Sequence, residues 1–486
     1  MDEMQDGRNT DNKNAIPVHF VGRNELGRTD RSDAAEHDEE FWTAKGMAAV
    51  EQENYEEAIE AFEQAVLVDP DNARAHYNLA RARQAIRDYN FAAVDYLRAI
   101  DLMPQLLEAH INLGHIYGEL GLYKDSLEAF QMALSLAPAN DELHQNVGDA
   151  YLLQDMYQDA IQFYRQALIL NQENVMAAGN LRQTRSKVNE QLRHLMQLEQ
   201  HLDDDPSDPT RYAELASSYL DMRRYDYALS LVNQMITLDP DNRAGYDMLA
   251  EVYEQLDDSD QAAETYSRIV AIDPDDAEAW EHLGAWLSLQ GNYDASIEAY
   301  SKAVQLDPQR TPASFGLAEV YFDAERYEEA LPVYQGLVKR TDTLSSDDLA
   351  NAYAGLADTY NALERYNEAV EIAEALLDHF ENDAEGYYQL ANAYDGLARY
   401  DEAIENYQIA IDLDALNAGY HNDLADTLRE VKRYDEAIEA AKSARAIDPS
   451  MVEAYETLAQ IYEETGRPDD AAAIMQQARD VQAALD

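Results

Sequence analysis

The chain has 486 residues and carries 96 acidic against 36 basic side chains, which gives a net charge of −60. A surface this acidic repels nucleic acid, so we exclude nucleic acid as a partner. Cysteine is absent, which excludes thiolate nucleophiles and thiolate metal sites, and the low counts of glycine (19) and proline (13) favour helix throughout.

The first 38 residues are polar and follow no repeat, so we predict that they are disordered. They lack the apolar core of a secretory signal, and no later stretch is long and apolar enough to span a membrane. We therefore predict a cytoplasmic protein without a membrane partner. One apolar island, AIPVHFV at Ala15–Val21, is a candidate for docking in a partner, in a groove of its own chain or in that of a neighbouring copy, and an inert tail is the alternative.

From residue 39 onward the chain repeats itself with a period of 34 residues. Prolines mark this period at Pro70, Pro104, Pro138, Pro206, Pro240, Pro274 and Pro308. In the unit 277–308, apolar residues at a helical spacing, Trp280, Leu283 and Leu287, precede the turn Gly291–Tyr293 and a second apolar stripe. Each unit is therefore predicted to be a helical hairpin. Neither helix can bury its stripe alone, so neighbouring hairpins must stack.

The units resemble the tetratricopeptide repeat family. The family pattern W-x2-L-G-x2-Y, A-x3-F-x2-A and P is matched in the first unit by Trp42, Gly46, Ala58, Phe62, Ala65 and Pro70. The resemblance implies an all-α fold, a right-handed α-solenoid of about thirteen hairpins whose first helices line a concave groove. We predict four units over 39–174, a degenerate unit over 175–208, four units over 209–344, an inserted loop at 345–349 and four units over 350–486.

The degenerate unit keeps the length of a repeat but loses its pattern. Arg182 stands where glycine or alanine belongs, and His194 and His201 stand where alanines belong. The turn residues are missing as well, so we predict one long helix, or a splayed pair, from about 176 to 202. A worn spacer, a hinge, or a contact surface are the interpretations left open; the last would use the basic residues Arg182, Arg185, Lys187 and Arg193.

In the N-terminal half, the resemblance places one asparagine per unit in the groove. The column consists of Asn78, Asn112, Asn146 and Asn180, and Tyr77 and Arg81 lie beside its first member. Asparagine amides can hydrogen-bond the backbone of an extended peptide, so we predict partner binding here. The alternative is that asparagine is simply common at this position of the family.

In the C-terminal half, the groove positions implied by the resemblance are aromatic, amide or acidic. We predict partner contacts at Phe315, Phe322, Tyr388 and Asn392, beside the carboxylates Glu251, Asp323, Asp358, Asp395, Asp423 and Asp426. Such a surface suits a basic or amphipathic segment of a protein partner. The acidity is equally typical of solvated helix faces and of adaptation to high salt.

The last unit ends without a separate polar capping helix. Met475, Val481 and Leu485 are therefore candidates for contact with a second copy, so we consider self-association through the C-terminal helix or the N-terminal tail.

No motif in the sequence indicates catalysis. Phosphate loops, dinucleotide fingerprints, nucleophile elbows and metal-binding helix motifs are absent. We predict no catalytic residue, no metal and no cofactor, and a non-catalytic scaffold or adaptor that binds an extended or helical segment of a partner protein in the groove. The alternatives are a recognition or regulatory subunit of a multiprotein enzyme complex, and a self-assembling structural protein.

Overall fold

Helices follow one another along the whole of residues 38–485, the part of the chain that the computed structural model describes. Within these residues there are 25 helices and no strand, so the predicted all-α solenoid is confirmed. The predicted N-terminal tail, apart from Asp38, and its island Ala15–Val21 lie outside the described residues.

The first four units are helical hairpins. Their helices are α1 (Glu39–Glu51), α2 (Tyr55–Val68), α3 (Ala73–Ala85), α4 (Tyr89–Leu102), α5 (Leu107–Glu119), α6 (Tyr123–Leu136), α7 (Asp141–Leu153) and α8 (Tyr157–Leu170). Polar side chains after the proline begin two of the first helices, since Asn72 and Asn140 accept hydrogen bonds from the free backbone N–H groups of α3 and α7.

The fifth unit is one continuous helix, α9 (Val175–Asp204), of 30 residues. Asn174 caps its start by accepting from the backbone N–H of Ala177. No residue of the unit supplies the left-handed turn that separates the two helices of the other units, so the helix continues through the place of the turn.

The next four units are again hairpins. Their helices are α10 (Pro209–Asp221), α11 (Tyr225–Leu238), α12 (Arg243–Gln255), α13 (Ser259–Ile272), α14 (Ala277–Leu289), α15 (Tyr293–Leu306), α16 (Thr311–Asp323) and α17 (Tyr327–Leu337).

The last four units differ from the prediction at their start. Their helices are α18 (Ser346–Ala362), α19 (Tyr366–His379), α20 (Ala384–Gly396), α21 (Tyr400–Leu413), α22 (Ala418–Glu430), α23 (Tyr434–Ile447), α24 (Val452–Glu464) and α25 (Pro468–Leu485). Four of the five residues predicted as a loop, 346–349, are helical instead. The physical reason is a cap: the Ser345 hydroxyl accepts from the backbone N–H of Asp348, and acidic residues follow in the first turn.

Every hairpin turn contains one residue in the left-handed region of backbone conformation. Three of these twelve residues are glycines, Gly121, Gly291 and Gly466, and the other nine carry a side chain, as Ala398 does at φ 56°. The repeated geometry of the turn is therefore fixed by the packing of the two helices more than by glycine.

The N-terminal and C-terminal units contact each other although they are far apart in sequence. Helix α4 lies against α23, and six charged side chains form ion pairs at this contact. We call these six residues the clasp: Asp71, Arg98, Asp101, Glu439, Lys442 and Arg445.

The guanidinium of Arg98 is the centre of the clasp, since its side chain is only 3% exposed. It donates to the carboxylate of Glu439 at 3.2 Å and to that of Asp101 at 3.4 Å. Arg445 donates to Asp101 at 2.6 Å, and Lys442 donates to Asp71 at 2.7 Å. The solenoid thus closes on itself through charge pairs.

Apolar packing accompanies these charges. Phe91 of α4 packs against the core of the C-terminal units, and Leu416 packs against the core of the second and third units. A cavity of about 850 Å³ lies beside this contact, with Leu67 of α2 on one side and Leu424 of α22 on the other. The two ends of the array are therefore not fused into one continuous core.

Candidate functional site

The first helices of several neighbouring units contact each other as well as their own second helices. Such contacts join α14 to α16, α18 to α20 and α22 to α24, among others. All ten residues predicted to bind a partner lie on first helices. We call the faces that the first helices share along the array the groove surface.

The predicted asparagine column divides into two kinds of side chain. The amide of Asn112 donates to the hydroxyl of Tyr96 at 3.1 Å, and the amide of Asn180 donates to Asp149 at 2.7 Å. Asn78 and Asn146 are half-buried and make no side-chain hydrogen bond within the described residues. Of the four asparagines, only Asn78 and Asn146 therefore offer an amide that is free to bind a partner.

Tyrosines from the second helices reach the groove surface, which the sequence interpretation missed. Tyr96 is fully buried, and its hydroxyl donates to Gln84 at 2.6 Å; the hydroxyl of Tyr164 donates to Asp149 at 2.6 Å. Burial raises the pKa of Tyr96, so its hydroxyl keeps its proton. The sequence did contain a signal for these contacts: Tyr96 and Tyr164 stand at the phenylalanine position of the family pattern A-x3-F, and tyrosine adds a hydroxyl that can form a hydrogen bond.

Tyr77 and Arg81 lie at the N-terminal end of the column. The ring of Tyr77 lies 5.8 Å from that of Tyr96, its hydroxyl is 3.5 Å from the amide of Asn112, and the guanidinium of Arg81 lies 5.9 Å from its ring centroid. The structure thus brings together Tyr77, Arg81 and Asn112.

Tyr388 and Asn392 also lie together, in a network on α20 to α22. The hydroxyl of Tyr388 donates to Asp423 at 2.7 Å, and its ring lies 4.7 Å from that of Tyr420. The hydroxyl of Tyr407 donates to the carbonyl oxygen of Asn392 at 2.5 Å. The carbonyl oxygen of Asn392 is therefore occupied, and Tyr388 presents its ring rather than its hydroxyl.

The two predicted phenylalanines are not part of this network. Phe315 packs against the core around α16 to α18, and the ring of Phe322 meets that of Tyr327 edge to face at 5.0 Å. Both lie on α16, two units before Tyr388. The predicted site residues thus form three separate patches along the groove surface.

Carboxylates within and between the two C-terminal patches are desolvated. Burial, with Glu385 nearby, raises the pKa of Asp358 to about 6. Burial also raises the pKa of Asp395 and of Asp423, and it raises that of Glu319 beside Asp323. No Lys or Arg of the described residues forms an ion pair with Asp358, Asp395 or Asp423; Asp423 accepts a hydrogen bond from Tyr388, and Asp395 accepts one from Thr427.

The repeated histidines are structural. Nε2 of His76 donates to the carbonyl of Pro70 at 3.0 Å, and His110 and His144 make the same bond to Pro104 and Pro138. Among the described residues, no three His, Asp or Glu side chains are grouped so that they could hold a metal ion. None of the described helices is long and apolar enough to cross a membrane.

Comparison with known families gives matches along the chain. Models described as TPR repeat or tetratricopeptide repeat match residues 46–86, 107–140, 143–175, 213–277, 388–452 and 428–484. A model of the middle TPR-like domain of cilia and flagella-associated protein 70 matches residues 246–377. These matches stop at 175 and resume at 213, so they leave out most of α9.

Two solved structures are similar over nearly the whole chain. One is the APC/C hetero-tetramer Cut9-Hcn1, at 17% identity and a TM-score of 0.40, covering 93% of this chain and 95% of that chain. The other is Naa15/Naa10 bound to HypK-THB, at 13% identity and a TM-score of 0.31, covering 92% and 76%. No curated protein matches the chain. With its 34-residue units, its stacked hairpins and these family matches, the chain belongs to the tetratricopeptide repeat family.

Proposed function

We propose that this protein is a non-catalytic interaction scaffold, located in the cytoplasm, whose groove surface binds a segment of a partner protein. The repeated first helices support this proposal, because they present side chains at regular intervals along many units. Tetratricopeptide arrays serve protein interaction in general.

The C-terminal half of the groove surface binds a basic segment. Asp358, Asp395 and Asp423 support this proposal, because no described Lys or Arg pairs with them and burial raises their pKa values. A buried carboxylate without a cation costs stability, and a lysine or arginine of a partner would remove that cost. The rings of Tyr388 and Tyr420 beside these carboxylates suit an arginine guanidinium.

The test is the variant Asp358→Asn. In the free protein the folded-state pKa of Asp358 is about 6, above the unfolded value of 3.8, so this residue binds its proton more tightly when the chain is folded. Stability therefore falls as pH rises from about 4 to 6, and we expect Asp358→Asn to stabilise the free protein at pH 7 by about 3 kcal/mol. The same variant should weaken binding of a fluorescein-labelled peptide that alternates arginine and serine.

The binding should also depend on pH. Because a cationic peptide prefers the ionised carboxylate, its affinity for the unaltered chain should rise between pH 5 and 7, and this rise should be smaller for Asp358→Asn. Asp401→Asn is the control, since Asp401 is exposed on a second helix. An Asp358→Asn variant that is less stable than the parent, or that binds the peptide equally well, contradicts the proposal.

The N-terminal half of the groove surface grips the backbone of an extended segment. Asn78 and Asn146 support this step, because their amides have no hydrogen-bond partner within the described residues. Replacing both with alanine should weaken capture of the partner more than replacing Asn112 and Asn180, which are bonded to the protein itself. Equal losses from the two double variants would contradict it.

A further inference from the structure

Helix α9 lacks the antiparallel second helix that packs on the first helix of every other described unit. Its neighbours are α7 and α8 of the preceding unit and α10 of the following one. Leu181 and Val188 pack in the core with α8, and Leu195 and Leu198 pack in a separate core with α10. One face of α9 is therefore buried along its length, and the place of a second helix beside it is vacant.

An exposed stripe runs along α9 outside this buried face. Its members follow each other at intervals of three and four residues, which places them on one side of the helix. They are Arg182, Arg185, Asn189, Leu192 and Met196, with Arg193 at the edge, and we call this set the α9 stripe. Leu192 and Met196 are 43% and 68% exposed, so the stripe contains apolar surface that water covers.

The charge of the α9 stripe is opposite to that of the chain. Between residues 175 and 198 the only acidic residue is Glu190, in a protein whose net charge is −60. Arg182, Arg185 and Arg193 form no ion pair with any described residue; Arg193 only donates from Nε to the backbone carbonyl of Asn189. Lys187 is turned away from the stripe, over the ring of Tyr157. The three guanidinium groups of the stripe are thus available to carboxylates from outside.

We propose that the α9 stripe is a docking surface for an acidic amphipathic helix of another protein. A helix fits because the solenoid already packs helices in pairs, and α9 is the described first helix whose pair is missing. Leucine or isoleucine of the partner would cover Leu192 and Met196, and methionine adapts to such contacts. Aspartate or glutamate would receive paired N–H donors from the arginines.

The length of the partner helix follows from the stripe. From Arg182 to Met196 the stripe spans about 21 Å, so a helix of roughly 14 to 18 residues covers it. The α9 stripe contains none of the predicted groove residues. The proposed docking on it is therefore independent of whether the groove surface binds a basic segment.

The probe for the test is a synthetic 18-residue helical peptide with a leucine stripe flanked by glutamates, labelled with fluorescein. Its binding to the full chain is followed by fluorescence anisotropy in 0.15 M salt. The triple variant Arg182→Glu, Arg185→Glu, Arg193→Glu should bind it roughly tenfold or more weakly, because three attractive charge pairs become repulsive. The double variant Leu192→Ala, Met196→Ala should also bind it more weakly, since alanine keeps the helix but removes the apolar contact.

The matched control is Lys124→Glu, Arg165→Glu, Arg268→Glu. These three residues are also exposed and form no ion pair with described residues, so the change in net charge is the same. The control should bind within about twofold of the parent. Equal loss in the control, or equal binding of a peptide with lysine in place of glutamate, overturns the proposal in favour of non-specific charge.

Sedimentation velocity of the protein without peptide distinguishes a second copy from another protein as the partner of the α9 stripe. We expect no self-association through the stripe, so the parent and the Leu192→Ala, Met196→Ala variant should sediment alike. If the parent dimerises and this variant does not, the stripe binds a second copy, and the assignment to another protein is overturned. Unchanged binding of the basic arginine-serine peptide by the triple variant would show that the groove surface is intact.

Discussion

The chain joins its N-terminal and C-terminal units in two places, and the two joints use arginine in opposite ways. In the clasp, Arg98 and Arg445 are mostly buried and paired with carboxylates of the opposite end. Along α9, Arg182 and Arg185 are exposed and unpaired within the described residues. The net charge of the chain is −60, so its two ends repel each other unless basic side chains lie between them. The paired arginines of the clasp allow the two ends to make contact, whereas the unpaired arginines of α9 are available to carboxylates of another molecule.

The largest effect is expected at the centre of the clasp. Arg98→Glu removes a buried guanidinium and places a third carboxylate beside Asp101 and Glu439. Breaking a buried ion pair costs about 3 to 5 kcal/mol, so the contact between α4 and α23 should open. Small-angle X-ray scattering should then record a larger radius of gyration, and the helix content by circular dichroism should stay the same.

A charge swap is the control for this prediction. The double variant Arg98→Glu, Glu439→Arg keeps one ion pair in the clasp and should restore part of the compact state. If Arg98→Glu leaves the radius of gyration unchanged, the closure of the solenoid does not depend on these charges, and the contrast between the two joints disappears.

A smaller effect is expected from breaking α9 itself. Ser186 is exposed in the middle of α9, and Ser186→Pro removes a backbone N–H and clashes with the preceding turn, at a cost of about 3 kcal/mol. Because the clasp still holds the ends together, the radius of gyration should change less than in Arg98→Glu. Hydrogen exchange followed by mass spectrometry should locate the loss of protection in α9.

Ser186→Ala is the matched substitution, and it should leave exchange in α9 unchanged. In the unaltered chain, the predicted hinge would appear in the same measurement as faster exchange between Val188 and Leu195, where the two cores separate. Protection equal to that of α8 and α10 would argue against a hinge.

A third prediction compares one cation from each joint. Lys442 is 12% exposed and bonded to Asp71 and Glu439, so Lys442→Ala should lower the free energy of unfolding by about 1 kcal/mol. Arg185→Ala removes an exposed, unpaired side chain and should change it by less than about 0.5 kcal/mol. Urea denaturation monitored by circular dichroism measures both, and equal losses would show that the α9 stripe has an internal role.

The sequence predicts the units of the array better than their contacts at a distance. Repeating apolar stripes predict the hairpins, because each helix pair depends on local spacing. The missing turn residues predict one long helix, or a splayed pair, from about 176 to 202, and the structure has one helix, Val175–Asp204. The prediction of a loop at 345–349 was wrong because a single cap, Ser345, is enough to extend α18 backward. Ser345 resembles many surface serines, so nothing in the residue itself distinguishes a cap from a loop position.

The groove surface was predicted only in part for a related reason. The position of a residue within its unit predicts that Asn112 and Asn180 lie on the groove surface. It does not predict that their amides donate hydrogen bonds to Tyr96 and Asp149. The clasp was not predicted at all, because the meeting of α4 with α23 depends on the curvature summed over the eleven units from the second to the twelfth. Small rotations per unit decide that distance, and no residue pattern encodes them directly.

The smallest effect separates the joints by pH. The hydrogen bond from Lys442 lowers the pKa of Asp71 below its usual value of 3.8, so the folded state holds this carboxylate ionised more strongly than the unfolded state does. A lowered pKa contributes stability above the unfolded value, and that contribution is lost as pH falls through the folded pKa. The Asp71 contact should therefore be constant between pH 5 and 8 and weaken only below about pH 4.

The α9 stripe has no carboxylate partner within the described residues, so it should show no such change with pH. Scattering of the parent and of Asp71→Asn, compared from pH 3 to 7, measures the difference. A difference between the two chains that is lost above pH 5 instead of below pH 4 would mean that Lys442 does not hold Asp71 in solution.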